Sequence, residues 1–382
     1  MADDKSGKPP PLMGATAIRP PDRVGMEKYT HIIYDPKNGT FFTRTPKSWA
    51  LITIFYCIYY SCLAAFWMAC MTIFLKIQIN DKTPTLMLDD SIIGTKPGIG
   101  VRPSQADEEV DSGIFHIDDK FSWNHGTNEE QIQKAIKKDI DDLVQAKKWG
   151  SIKAIGGSKG YAYRAHDFFK AYGKNDSGDA LTTCAGDAHQ NADGYRSDKY
   201  KFCEFEMAKL GECRNFPYGY SESNLSPCVF LKLNRIMGLK PKPITADNAA
   251  EQDASLLKDD GAKKLLEDLK TQGYPAGVYI KCEGAYPADK EILRAGTMNM
   301  YPKAQGIENA AIIPLKYFPY DKKRDHNENP LVAVQFNGLF DTPLREGRLV
   351  HVICKAYYDQ VVHSKKNKAG LVKFELYLNE KK

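Results

Sequence analysis

One pair of aspartates has a spacing that suggests catalysis. Asp139-Ile-Asp141 has the pattern with which many membrane-anchored glycosyltransferases hold a metal ion and a nucleotide sugar. Ile140, however, belongs to the apolar stripe of a predicted helix, so both carboxylates are expected on its solvated face. The eight histidines are scattered, and neither a zinc-protease motif, a nucleophile elbow nor a phosphate loop occurs. The sequence therefore predicts no catalytic residues, no cofactor and no metal.

Six cysteines in the C-terminal part of the chain suggest structural chemistry instead. They form an even set without a Cys-x-x-Cys pair, which favours disulfide bonds over redox chemistry. Three disulfides would indicate an oxidising compartment. Pairing between sequence neighbours is one of many possible arrangements, and spacing alone does not select it. The six are Cys184, Cys203, Cys213, Cys228, Cys282 and Cys354.

A long apolar segment must anchor these residues. Ser48 to Leu75 contains no Lys, Arg, Asp, Glu or His. As a helix it would reach ~42 Å, against ~30 Å of hydrocarbon in a bilayer. A cleaved signal peptide would be shorter and would begin earlier, and a buried core helix of this length would show a polar face. We therefore predict a transmembrane helix.

The flanking residues predict the orientation of this helix. Four basic residues precede it (Lys28, Lys37, Arg44, Lys47), whereas Lys76 and Lys82 on the other side are offset by three aspartates. The six paired cysteines and the candidate glycosylation sites Asn175 and Asn224 all follow the helix. Asn38-Gly-Thr is then a chance match. The prediction is a type II protein with a cytosolic N-terminus, and its net charge of +5 is too small to suggest nucleic acid as a partner.

The membrane segment carries a pattern typical of helix–helix contact. Small residues recur every four positions and line one face, which allows another helix to approach closely. Tyrosines form an adjacent stripe, and their hydroxyls need hydrogen-bond partners that lipid tails do not offer. We predict that a partner helix supplies them. The predicted contacts are Tyr56, Tyr59 and Tyr60 on the tyrosine side, and Ser61, Ala65 and Ala69 in the small-residue stripe that begins at Cys57.

The apolar run and the composition on either side of it divide the chain into four predicted segments. Residues 1–47 are cytoplasmic, with two short extended pieces around the Asp35–Gly39 turn. Residues 48–75 are the transmembrane helix. Residues 76–113 form an extracellular stalk, which its prolines and glycines predict to lack regular elements. Residues 114–382 form a disulfide-bonded extracellular domain.

Within that domain one amphipathic helix is clear. Thr127-Asn-Glu-Glu130 has the spacing of a capping box with Thr127 as N-cap, and Ile132, Ile136, Ile140 and Leu143 follow at helical spacing. We expect this helix to end near Trp149-Gly150. A second helical candidate runs from Lys263 to Lys270.

The last third of the chain alternates like β-structure. Apolar residues occupy every second position around Val229–Leu233, Val350–Ala356 and Val372–Leu378, and Leu331–Phe336 is a more apolar strand. Separated strands with turn signals and disulfides indicate an antiparallel sandwich that carries one long helix.

These residues together resemble the β subunit of the Na,K-ATPase, in particular an invertebrate one, over nearly the whole chain. The resemblance rests on Arg44-Thr45, Ser48-Trp49, Phe55–Ala65, Lys96–Ile99, Tyr218-Gly-Tyr220, Pro227–Arg235, Gly238–Pro243, Tyr317–Tyr320, Pro330–Phe336 and Cys354–Tyr357. Where the family tends to have glycines along the span, this chain has Ser61, Ala65 and Ala69. Arg294 to Gln305 has no family counterpart.

The resemblance implies a plasma-membrane glycoprotein with an immunoglobulin-like ectodomain and disulfides between neighbouring cysteines. Such a subunit is not an enzyme. It assembles with a catalytic α subunit that exports sodium and imports potassium, delivers it to the membrane and tunes its potassium affinity. Membrane lipid and a small single-span regulatory subunit are further candidate partners. The alternatives are a proton/potassium pump β subunit, an adhesion glycoprotein that needs no α subunit, and a type II lumenal enzyme.

Overall fold

The computed structural model has two compact units, Met1–Asn80 and Asp81–Lys382. The residues it describes are 33–35, 39–42, 44–79, 85–92, 94–105, 113–118, 120–124, 128–146, 150–172, 193–195, 203–244, 263, 265, 267–268, 275–294, 296–320, 329–339, 347–359 and 361–378. Three residues named from the sequence lie outside this described part, namely Asn38, Asn175 and Cys184. The predicted helix Lys263–Lys270 lies mostly outside it.

The described part of the first unit is a small hairpin followed by one long helix. Strands β1 (Tyr34–Asp35) and β2 (Thr40–Phe41) pair antiparallel, which confirms the two extended pieces expected around the turn. Helix α1 (Pro46–Gln78) follows directly. It is the one helix in the described part of the chain that is long and apolar enough to cross a membrane. None of the side chains in its apolar stretch is buried within the chain.

The second unit is a sandwich of two sheets. Its described strands are β3 (Ile99–Arg102), β4 (Ile114–Ile117), β5 (Cys228–Leu233), β6 (Gly277–Gly284), β7 (Met298–Tyr301), β8 (Ala310–Pro314), β9 (Leu331–Phe336), β10 (Leu349–Tyr357) and β11 (Leu371–Leu378). One sheet has the strand order β4-β11-β10-β6-β8 and the other β3-β5-β9-β7. Phe336 of β9 and Phe374 of β11 meet edge to face across the two sheets, with ring centroids 6.2 Å apart.

The four predicted strands are all present, three of them expected from alternation and β9 from its apolar run. The sandwich is confirmed, and its described strand pairs are antiparallel except that β4 joins β11 in parallel register. One expectation was wrong, because the segment before Gly113 contains regular elements. It contributes β3, which pairs with β5, and a short 3-10 helix at Leu88–Asp90. An apolar face on Ile99 and Val101 was enough for a strand despite the neighbouring prolines and glycines.

Helices α2 (Glu129–Gln145), α3 (Gly157–Phe169) and α4 (Pro287–Ile292) accompany the sandwich, so the expected single long helix has two companions. α2 begins one residue later than expected. Its N-cap is Asn128, whose side-chain oxygen accepts a hydrogen bond from the Glu130 amide at 3.0 Å. It also ends at Gln145 rather than near Gly150.

Candidate partner-binding helix and its ectodomain

The start of α1 is fixed by local chemistry. Thr45 is the N-cap, and its hydroxyl accepts a hydrogen bond from the Ser48 amide at 3.3 Å. Pro46 occupies the first helical position, where its missing donor costs nothing. The Trp49 indole donates to the Phe41 carbonyl at 2.8 Å and ties the hairpin to the helix. The sequence motif around Thr45 and Trp49 thus joins hairpin and helix, a role that its residues alone did not reveal.

Four aromatic rings form one cluster on α1. Tyr56 stacks on Tyr60 with centroids 5.9 Å apart, and Phe55 stacks on Tyr59 at 6.3 Å. Tyr59 and Tyr60 then meet edge to face at 5.3 Å, which joins the two stacks. Phe55 was not among the predicted contacts. Its position four residues before Tyr59 does indicate that the two rings are neighbours on a helix. The cluster therefore presents a preorganised aromatic surface.

The small residues lie on a different side of α1 from this cluster. Each step along an α-helix turns the side chain by about 100°, so Ser61, Ala65 and Ala69 form a slowly drifting stripe. The centre of that stripe lies roughly 160° from the direction shared by Tyr56 and Tyr60. One partner helix cannot cover both sets. The six predicted contacts therefore divide into an aromatic side and a small-residue side.

The tyrosine hydroxyls of α1 form no hydrogen bond with the described residues of the chain. None of Tyr56, Tyr59 and Tyr60 has a hydrogen-bond partner for its hydroxyl among the described residues, and the three rings are about half exposed. Tyr59 and Tyr60 lie within about one turn of the middle of the 33-residue helix. At that depth a bilayer supplies neither donors nor acceptors, so the hydroxyls favour contact with another protein helix.

The disulfides lie inside the ectodomain. Cys213 is bonded to Cys228, and Cys282 to Cys354, both as sequence neighbours. The second pair lies at directly opposite positions of β6 and β10. Cys203 is also disulfide-bonded, and its partner residue is outside the described chain. The cysteines of α1 are free and exposed, in contrast to these.

The Tyr218-Gly-Tyr220 motif forms a turn that is hydrogen-bonded to Cys228, the first residue of β5. The Tyr220 hydroxyl is buried and donates to the Cys228 carbonyl at 3.0 Å, and the Cys228 amide donates to Tyr218. Gly219 has a φ of +73°, and an added Cβ would overlap the Ser226 carbonyl oxygen. Burial raises the pKa of Tyr220 well above its ordinary value, so its hydroxyl remains a donor. The motif is therefore structural.

The two aspartates of the Asp139-Ile-Asp141 pattern have different surroundings. Both were expected on the solvated face of the helix, which is wrong for Asp139, because it accepts a hydrogen bond from the Tyr163 hydroxyl at 2.7 Å and pairs with Lys159 at 2.8 Å. Asp141 is exposed. No group of three or more His, Cys, Asp or Glu side chains among the described residues could hold a metal ion. Asp139 instead holds α2 against α3.

A buried histidine forms further contacts between these helices. The His166 ring on α3 lies 3.2 Å from the Glu129 carboxylate and 3.1 Å from the Gln133 side-chain amide of α2. Burial lowers the pKa of His166, an effect that the neighbouring Glu129 opposes. Near neutral pH the ring is therefore largely uncharged, and its contacts with Glu129 and Gln133 join α3 to α2.

One candidate glycosylation site falls within the described chain. Asn224 ends a short 3-10 helix, Glu222–Asn224, immediately before the loop that leads to Cys228. Its use as an acceptor remains a prediction, as does that of Asn175.

These features define a class: a membrane protein with a single predicted span and a disulfide-bonded, two-sheet ectodomain. A family model, the sodium/potassium ATPase beta chain, matches residues 20–154 and 154–374. The chain belongs to that family.

Curated relatives agree with this assignment over almost the full length. The sodium/potassium-transporting ATPase subunit beta-2 of Drosophila melanogaster is 29% identical over 366 residues, covering 94% of this chain and 95% of that protein. A probable subunit beta-3 of Caenorhabditis briggsae is 28% identical, with 93% and 88% covered. Human subunit beta-2 is 26% identical, with 93% and 95% covered.

Proposed function

We propose that this chain is the non-catalytic β subunit of a sodium/potassium-transporting ATPase. It assembles with the catalytic α subunit, stabilises it and accompanies it to the plasma membrane, with its own N-terminus in the cytosol and its sandwich outside. The observation that carries this proposal is the family match across both the membrane helix and the ectodomain. The hydroxyls of the α1 tyrosines, which have no partner within the described chain, supply the physical reason for a helical partner.

The division of α1 into two sides extends the proposal. The aromatic side contacts one helix of the α subunit, and the small-residue side allows close approach of a second. Any effect on potassium affinity then arises because these contacts favour one conformation of the α subunit over another.

Co-purification from mild detergent tests the aromatic side. The double variant Tyr56→Ala plus Tyr60→Ala is expected to lower the molar yield of α subunit several-fold, because two rings and two hydroxyls are lost. Met68→Ala plus Leu75→Ala is the matched control, since both exposed residues lie roughly 130° to 150° around the helix from the centre of the aromatic cluster. An unchanged yield from the tyrosine variant would exclude α1 as the aromatic docking surface.

A second pair of variants tests whether two helices are contacted. Ala65→Leu plus Ala69→Leu should also lower the yield, because leucines prevent close approach. If the two sides contact different helices, the free-energy effects of the tyrosine and alanine variants should add. Strong non-additivity would indicate one shared contact.

Sodium transport is tested separately from assembly. Ion fluxes measured with a defined α subunit, with and without this chain, distinguish sodium/potassium exchange from proton/potassium exchange. Potassium activation curves of the same complexes give the sign of the affinity change.

A further inference from the structure

The hairpin before α1 exposes an unusual amount of aromatic surface. Tyr34 is 56% exposed, Phe41 49%, Phe42 50% and Trp49 38%. In the ectodomain, by contrast, most described aromatic rings are buried. We call this surface the hairpin platform, defined by Tyr34, Phe41, Phe42, Arg44, Lys47 and Trp49. Exposing this much aromatic surface to water is unfavourable, and patches of this kind in proteins usually contact a membrane or another protein.

The platform is fixed to the end of the predicted span. The Phe41 and Arg44 backbones exchange hydrogen bonds at 2.9 and 3.2 Å, and the Trp49 indole reaches back from the first turn of α1 to Phe41. A helix that spans the hydrocarbon places its first turn among the lipid headgroups. The hairpin must then lie in the same layer, where tyrosine and tryptophan are enriched.

The backbone at Phe42 supplies an independent observation. Its φ is +45°, a left-handed conformation that disfavours bulky side chains and that glycine or asparagine would adopt more readily. An exposed phenylalanine at such a position carries a conformational cost without burial in the fold. A lipid surface that accepts the ring would offset that cost.

The charges of the platform complement an anionic surface. Arg44 and Lys47 flank the first turn of α1, and neither forms an ion pair with any described residue. Basic groups beside a membrane are attracted to anionic headgroups, by ~1 kcal/mol for each group close to the surface.

We infer that the hairpin platform binds the surface of an anionic lipid bilayer, inserting its aromatic rings among the headgroups while Arg44 and Lys47 contact lipid phosphates and carboxylates. This inference rests on the membrane placement of α1 proposed above. The platform thereby fixes the depth of α1, and so the height at which its aromatic and small-residue sides meet a partner.

Hydrogen exchange of the full-length chain in nanodiscs tests the inference. Backbone amides of residues 39–49 should exchange ~10-fold more slowly in discs that contain phosphatidylserine than in discs of phosphatidylcholine alone. About 0.5 M salt should remove most of that difference. Both leaflets of a disc have the same composition, so the outcome does not depend on the orientation of the chain.

Three variants separate the contributions. Arg44→Gln plus Lys47→Gln should abolish the dependence on phosphatidylserine, whereas the matched exposed pair Lys365→Gln plus Lys366→Gln should preserve it. Phe42→Asn relaxes the left-handed backbone and so should fold, yet it should speed exchange in both lipids. The yield of co-purified α subunit should be retained with Phe42→Asn.

Equal exchange in the two lipids would overturn the inference. So would slowing that occurs only when the α subunit is present, because the platform would then contact protein. Both results leave the assembly proposal standing, since that proposal is decided by the tyrosine variants of α1.

Discussion

The membrane helix and the ectodomain use their recognisable motifs in opposite ways. In the ectodomain, the Tyr-Gly-Tyr turn, the cysteines and the aspartate of α2 all contact other residues of the same domain. In α1, the tyrosines and small residues face outward and contact little beyond their neighbours on the helix. The contrast shows that a motif in this chain can serve either the fold or a partner, and that burial distinguishes the two.

The largest expected effect comes from the disulfide between β6 and β10. Replacing Cys282 and Cys354 by alanine opens a loop with a sequence separation of 72 and should lower the free energy of unfolding by about 4 kcal/mol. Thermal unfolding of the full chain in detergent, followed by near-ultraviolet circular dichroism, measures it. Cys57→Ala plus Cys62→Ala in α1 should leave this transition unchanged, and a comparable loss there would break the comparison.

Gly219 gives the next largest effect. Gly219→Ala combines a positive φ with overlap against the Ser226 carbonyl and should cost about 2 to 4 kcal/mol. Gly113 has a similar φ of +69° but open space around it, so Gly113→Ala should cost only about 1 kcal/mol. The difference between the two unfolding free energies isolates the overlap. Equal losses would mean that the turn adjusts.

A pair of tyrosine-to-phenylalanine variants sharpens the contrast between the regions. Tyr220→Phe removes a buried hydrogen bond to Cys228 and should lower ectodomain stability by about 1 kcal/mol. Tyr60→Phe should leave that stability unchanged and instead reduce the amount of α subunit that co-purifies. A stability loss from Tyr60→Phe, or a loss of α subunit alone from Tyr220→Phe, would contradict the assignment of roles.

The smallest effect concerns pH. Burial lowers the pKa of folded His166 below its ordinary value of 6.5, so the unfolded chain binds more protons in that range. Stability should therefore fall as the pH decreases through 6.5 towards the folded pKa. We expect a lower unfolding temperature at about pH 5.5 than at about pH 7.5, and a smaller difference in His166→Gln. Measurements above about pH 5 avoid the Glu129 carboxyl, whose pKa is lowered from 4.5.

Strong periodic signals in the sequence were sufficient for much of the fold. The charge-free run predicted α1, alternation predicted β5, β10 and β11, and a short apolar run predicted β9. α3 was missed because its residues are buried almost continuously from Gly160 to His166, which leaves no polar face to set a helical period. β3 was missed because turn residues on either side concealed a short strand whose partner lies about 130 residues away in the chain.

Part of the candidate site on α1 could be predicted from the sequence. The tyrosines and small residues of α1 were named from their spacing, yet their separation onto two sides becomes clear only when the rings are placed on a helix. The hydrogen bond from Trp49 to Phe41 depends on a hairpin of only two residue pairs. A hairpin this short has no periodic pattern from which it could be predicted.

The position of β11 has a biosynthetic consequence. This strand, formed by residues 371–378, lies between β4 and β10, although β4 is formed by residues 114–117. During translation, some 250 residues must therefore emerge before the five-stranded sheet can close. A chain interrupted before β11 would leave one edge of β4 and one edge of β10 without the strand that lies between them, and open edges of this kind are templates for pairing with other chains. The last described strand thus protects the sheet from aggregation once it is in place.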